Sequence, residues 1–281
     1  MALLLTIMLF AAVGGIASAA FAIVFLWVRA EHSALILPHL ISFATGALLG
    51  AALLALLPEA MASAGPARAH GIGLMLLAGL GVFFVIEKLV LWWHAHAHLD
   101  DGGATACAQH ADDAHEARTG HGHRHTAEQA RNRASGVLVL VGDSLHNTLD
   151  GALIAAAFLG SMQLGVLTTF AVAAHEIPHR VGDFAILVQA GLSRPRALLL
   201  NLATGVASVF GAVVAYFGLR ETQRALPYAL AFAAAGFLYI AVAGLIPGLH
   251  RRADARTSAI QIVLIAAGIA VIAGAERLTG E

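Results

Sequence analysis

Eight apolar runs, near residues 3–28, 34–57, 71–93, 135–160, 164–191, 197–219, 226–247 and 258–275, are each long enough to cross about 30 Å of hydrocarbon. Backbone N–H and C=O groups inside lipid must find partners within the protein, which leaves only helices or a closed barrel. No stretch alternates polar and apolar residues as barrel strands do. The sequence therefore predicts an all-α integral membrane protein with eight transmembrane helices, a single transmembrane domain over residues 1–281. Composition agrees, with 59% hydrophobic and 12% charged residues against roughly a quarter charged in soluble domains. A net charge of −1 gives no basic field and excludes nucleic acid as a partner. The lone Cys107 allows no internal disulfide and no thiolate zinc knuckle. The first run carries Ala17-Ser18-Ala19, which would suit a signal peptidase. It lacks a basic leader, however, and stays apolar to Val28, so it reads as a first span.

The connections are short except residues 94–133, which are polar, rich in Gly, Ala and His, and read as a flexible loop. An even number of spans puts both termini on one side. Arg29, Arg118, Arg124, Arg131, Arg133, Arg194, Arg196, Arg251, Arg252 and Arg256 fall on the loop side, against Arg68, Arg220, Arg224 and Arg277 on the other. The excess of positive charge places the loop in the cytoplasm and both termini outside, in the plasma (inner) membrane if the source is bacterial. His94, His96 and His98, then His121, His123 and His125, form tracts of the kind that bind metal and are expected to be accessory ligands.

Ionisable groups inside a membrane are costly and mark function. In span 4, Asp143, His146, Asn147 and Asp150 recur at i, i+3, i+4 and i+7 and share one helical face. In span 5, His175, Glu176, His179 and Asp183 occupy one wide face. Two such stripes should face each other, away from lipid, and imidazole with carboxylate suits a divalent transition metal such as zinc. Asp143 and Asp183, near the stripe ends, read either as pathway ligands or as helix-pairing groups. Gly151 should let a neighbouring helix approach closely, and Pro178 should kink span 5 beside the site. Glu87 and Lys88, near the end of span 3, read as a self-paired couple reaching for the interface.

These features resemble the ZIP family of metal transporters, specifically its histidine-rich LIV-1-like branch. The resemblance rests on His146-Asn147-x-x-Asp150-Gly151, on His175-Glu176-x-Pro178-His179 followed by Gly182-Asp183, on the FFVIEKL stretch from Phe83 and on LLPEA from Leu56. It implies a carrier in which spans 1–3 and 6–8 form an inverted repeat around spans 4 and 5. Such a carrier moves zinc into the cytoplasm by alternating access and often works as a homodimer in the lipid bilayer. By position, one metal site would use His146, Asp150, His175 and His179. A second would share Asp150 and His179 and add Asn147 and Glu176. Arg180 stands where the branch commonly has glutamate, Ser208 where some members supply a carboxylate, and Ala51 and Ala55 where some carry Asp and His.

His-Glu-x-x-His is also the zinc-protease pattern, and Leu149-Asp150-Gly151 matches the companion motif of intramembrane proteases. In those enzymes the aspartate motif follows the histidines, whereas here it precedes them. A catalytic zinc also keeps one position open for water, which this many ligands would close. The sequence therefore reads as a transporter with no organic cofactor and no catalytic residue. The same ligands would also accept iron, manganese, cobalt, nickel or cadmium.

Overall fold

The computed structural model describes residues 1–20, 30–96, 120–250 and 254–279. It contains α1 (Ala2–Ala12), α2 (Ala30–Gly50), α3 (Leu57–Ala64), α4 (Ala69–His96), α5 (Gly120–Gly160), α6 (Met162–Gln189), α7 (Arg194–Arg220), α8 (Leu226–Tyr239), α9 (Ile246–Leu249) and α10 (Ala255–Thr279). Wider π-helical turns at Val13–Ala17, Ala51–Leu56 and Ile240–Leu245 extend α1, join α2 to α3 and join α8 to α9. Among the described residues no strand occurs.

Among the described residues, six stretches are long and apolar enough to cross a membrane: Ala2–Ala20, Ile36–Ala64, Pro66–Leu89, Arg194–Arg220, Leu226–Leu249 and Ala255–Leu278. Helices α5 and α6 are not among these stretches, and they carry ionisable groups along their length, Asp143 and Asp150 on one and Glu176, Arg180 and Asp183 on the other. All five side chains are buried. The charged stripes of these two helices are thus turned inwards, and large apolar side chains on the other helices supply much of the outer surface. Leu74, Leu77, Leu199, Phe210, Ile262 and Val263 are all exposed there, a surface suited to hydrocarbon rather than water.

Packing places the two stripes. Only Ser161 separates α5 from α6, and its hydroxyl accepts a hydrogen bond from the Leu164 amide at 3.0 Å, capping α6. Helix α7 lies hard against α5: a Cβ on Gly151 would overlap the Ser208 carbonyl, and one on Gly211 would overlap that of Thr148. Gly151→Ala is therefore expected to cost about 1–3 kcal/mol through overpacking, seen as a lower Tm in detergent.

Helix α6 is continuous through Pro178, and the π-helical turns lie in other helices. Two expectations change. Glu87 accepts a hydrogen bond from Tyr239 on α8, and Lys88 sits 5.8 Å from the Phe84 ring centre, so each has a partner other than its neighbour. The expected loop is shorter, because His94 and His96 end α4 and His121, His123 and His125 lie on the first turns of α5. Residues 97–119, with His98, and 21–29 of the first span lie outside the described residues.

Candidate metal centre

His146 and Asp150 project from α5 onto His175 and Glu176 of α6. One ligand atom from each lies within 4.8 Å of all the others. His146 Nε2 is 3.3 Å from His175 Nε2, 3.4 Å from Glu176 Oε1 and 3.7 Å from Asp150 Oδ2. His175 Nε2 is 3.4 Å from Asp150 Oδ2 and 3.8 Å from Glu176 Oε1. A tetrahedral ion with ligands at about 2.0–2.1 Å has ligand-to-ligand edges of roughly 3.3–3.4 Å. Five of the six edges between the four ligand atoms, at 3.3–3.8 Å, are close to that length.

The surroundings favour a cation there. His175 Nδ1 faces the Ala171 carbonyl at 3.1 Å, and a carbonyl can only accept, so the ring proton is held on Nδ1 and the Nε2 lone pair turns to the cluster. Asp150 Oδ2 and Glu176 Oε1 are buried with no hydrogen-bond partner. Unpaired buried carboxylate oxygens are costly, and an ion at the centre would satisfy both.

His179 is placed differently. Its Nδ1 lies 2.8 Å from Asp183 Oδ2, one turn further along α6, and together with Asp143 the two form a second group of possible ligands. Its side chain is 46% exposed and its ring stacks on His146 with centroids 5.5 Å apart. The four clustered groups thus hold Glu176 where the sequence suggested His179, because the carboxylate at i+4 draws the imidazole away.

Asn147 is committed elsewhere as well. Its Nδ2 donates to the Asp143 carbonyl and to Asp143 Oδ1, both at 2.8 Å, and its Oδ1 accepts from an Arg180 terminal nitrogen at 2.5 Å. Arg180 is wholly buried. Its guanidinium also donates to Asp143 Oδ2 at 2.7 Å, to the Asn201 carbonyl at 2.9 Å and to Thr204, and it pairs with Glu176 at 2.9 Å. This network ties α5 and α6 to α7. Asn201 and Thr204 carry no charge and belong to no motif, so they do not stand out in the sequence. The signal was there in uncharged form, since Asn201, Thr204 and Ser208 recur at i, i+3 and i+7 in an otherwise apolar helix. Ser208 is buried with an unpartnered hydroxyl, against Gly151.

A cavity of about 510 Å³ opens beside the cluster, lined by Asp143, His146, His175, His179, Asp183, Glu87 and Tyr239 among others. These residues place it towards the end where α4 stops and α5 starts. A smaller cavity of about 290 Å³, lined by Glu59, Gln163, Leu164, Leu167 and Glu276, lies towards the opposite end. Ile154, Ala157, Leu164, Leu167 and Ala171 are buried on that side of the cluster.

The chain has relatives among known proteins. Zinc transporter ZIP13 of Homo sapiens is 35% identical over 275 residues, covering 87% of this chain and 72% of the relative. Zinc transporter ZIP13 of Danio rerio is 33% identical over 264 residues, covering 84% and 75%. Zinc transporter SLC39A7 of Rattus norvegicus is 32% identical over 300 residues, covering 84% and 64%. The profile of the ZIP zinc transporters matches residues 1–276. That family is one of transporters rather than enzymes, which removes the protease alternative. With the match running through both helices that carry the cluster, the chain belongs to the ZIP zinc transporter family.

Proposed function

We propose that this chain moves zinc, or a chemically similar divalent ion, into the cytoplasm by alternating access through a centre built from His146, Asp150, His175 and Glu176. The observation that carries this reading is the near-tetrahedral set of ligand atoms at the head of a cavity whose far side is packed with apolar side chains. An entering ion sheds water and takes imidazole and carboxylate in exchange, and it must be held weakly enough to leave. Ligands on two helices allow that, since a shift of one against the other opens the coordination shell. Asp143, His179 and Asp183, which line the cavity, then serve as the next stop on the pathway. Asn147 supports the centre through Asp143, and Ser208 backs it from α7. The loop histidines buffer released ions.

Eight spans follow if α5 and α6 cross inside the ring of apolar helices. An inverted repeat of spans 1–3 and 6–8 is supported by the pairing pattern: α1 packs on α7, α2 on α10 and α4 on α8, contacts that exchange consistently under such symmetry. The π turns before Pro58 and before Pro247 are also at matching places in the two halves. The arginine distribution supports a cytoplasmic loop and outside termini. Assembly as a homodimer in the bilayer belongs to the same reading.

Cells expressing the chain should accumulate radioactive zinc from the medium faster than control cells; net loss of zinc would contradict the direction. Uptake should fall as the pH is lowered, because a proton on His146 or His175 occupies the lone pair that the ion needs. Initial rates across a pH series check this.

A further inference from the structure

Arg180 is a wholly buried cation, and three of the oxygens around it are of ligand type. Its guanidinium lies 2.9 Å from Glu176 Oε2, 2.7 Å from Asp143 Oδ2 and 2.5 Å from Asn147 Oδ1. Two carboxylates and an amide oxygen form the donor set expected around a hard or borderline metal ion. Glu176 faces both ways: Oε1 lies 3.4 Å from His146 Nε2 in the four-atom cluster, while Oε2 lies on Arg180. A carboxylate shared between adjacent cations is the geometry expected of a two-ion centre, where the ions sit about 3.5–4 Å apart. In this chain one of the two cationic positions is covalently attached.

Formal charge agrees. Asp143, Asp150 and Glu176 bring three negative charges into a buried region, while Asp183 lies with His179. Arg180 offsets one of the three, and a single divalent ion offsets the other two. A second divalent ion would leave the region positive in a medium that penalises uncompensated charge heavily.

We infer that the Arg180 guanidinium is a tethered cation filling the second half of a bridged centre, so that the transport site takes one divalent ion per chain. This rests on the metal centre proposed above. It makes Arg180 the residue that sets ion stoichiometry, beyond its part in joining α5, α6 and α7. Replacing it with glutamate gives the region four negative charges, the number that two divalent ions balance.

The test is a zinc count by equilibrium dialysis on the full chain in detergent at saturation. The count for the same chain carrying Asp143→Asn, Asp150→Asn and Glu176→Gln together, which removes the carboxylates of both positions, is subtracted, so that the loop histidines cancel. The unaltered chain should show an excess of one ion. Arg180→Glu, counted against Arg180→Glu with the same three replacements, should show two. An excess of two in the unaltered chain, or of one in Arg180→Glu, overturns the inference and leaves the metal centre standing. No excess in the unaltered chain overturns both. If Arg180→Glu does not fold without metal, Arg180→Gln is melted with and without zinc. A diffusible ion replacing a tethered one should raise its Tm far more than that of the unaltered chain, whereas an equal rise means Arg180 only locks helices together.

Discussion

Alanine in place of Asp150 is expected to abolish zinc transport and to leave the metal-free fold intact. Asp150 Oδ2 stands 3.4 Å from His175 Nε2 and 3.7 Å from His146 Nε2, at the centre of the cluster. Loss of groups that merely orient metal ligands typically costs 10–100-fold in metal affinity, so loss of a ligand should cost at least roughly 100-fold. The same oxygen is buried without a hydrogen-bond partner. Deleting it from the metal-free protein removes a buried carboxylate oxygen that has no hydrogen bond, so Tm without zinc should hold or rise. Flux into proteoliposomes and metal-free melting, measured on one preparation, separate the two effects. Undiminished flux, or collapse of the metal-free fold, would show that Asp150 serves packing instead.

Arg180→Ala should have the opposite profile, with the fold failing first. The substitution strands Asp143 and Glu176, two carboxylates buried at 4% and 0% exposure, and leaves Asn147 and Asn201 without their donor. Breaking a buried ion pair from one side costs about 3–5 kcal/mol, a large share of a typical folding free energy of about 5–15 kcal/mol. Denaturant titration in detergent without zinc should show that loss. Adding Asp143→Asn should recover part of it, because one of the stranded charges is then gone. A midpoint equal to that of the unaltered chain would mean that the network contributes little.

The comparison of these two residues shows how far the sequence could be read. Asp150 was legible: helical spacing alone puts Asp143, His146, Asn147 and Asp150 on one face, and the matching stripe on α6 follows from the same periodicity. The all-helical character was legible for a similar reason, since apolar length and the need to pair backbone groups in lipid leave few alternatives. What the spacing left open was the partner of each member of a stripe. His179 and Glu176 lie on the same face of α6, and only the carboxylate at position 183, 2.8 Å from His179, decides which of them turns to the cluster. Arg180 was visible as a charge beside the site. That it is matched by Asp143, Glu176 and Asn147 depends on how α5 and α6 come together, and its remaining contacts depend on α7. The close fit of α7 rests on backbone contact at Gly151, where the sequence already pointed to a close helix approach, and at Gly211, where it did not. The π-helical turns gave no local signal comparable to Pro178, which lies inside a continuous helix.

The measurement that bears most directly on the central claim is the position of the ion itself, located by anomalous scattering from crystals of the full chain grown with zinc. The account predicts a peak about 2.0–2.2 Å from His146 Nε2, His175 Nε2 and carboxylate oxygens of Asp150 and Glu176. A peak confined to Asp143, His179 and Asp183, or to the loop histidines alone, would contradict it.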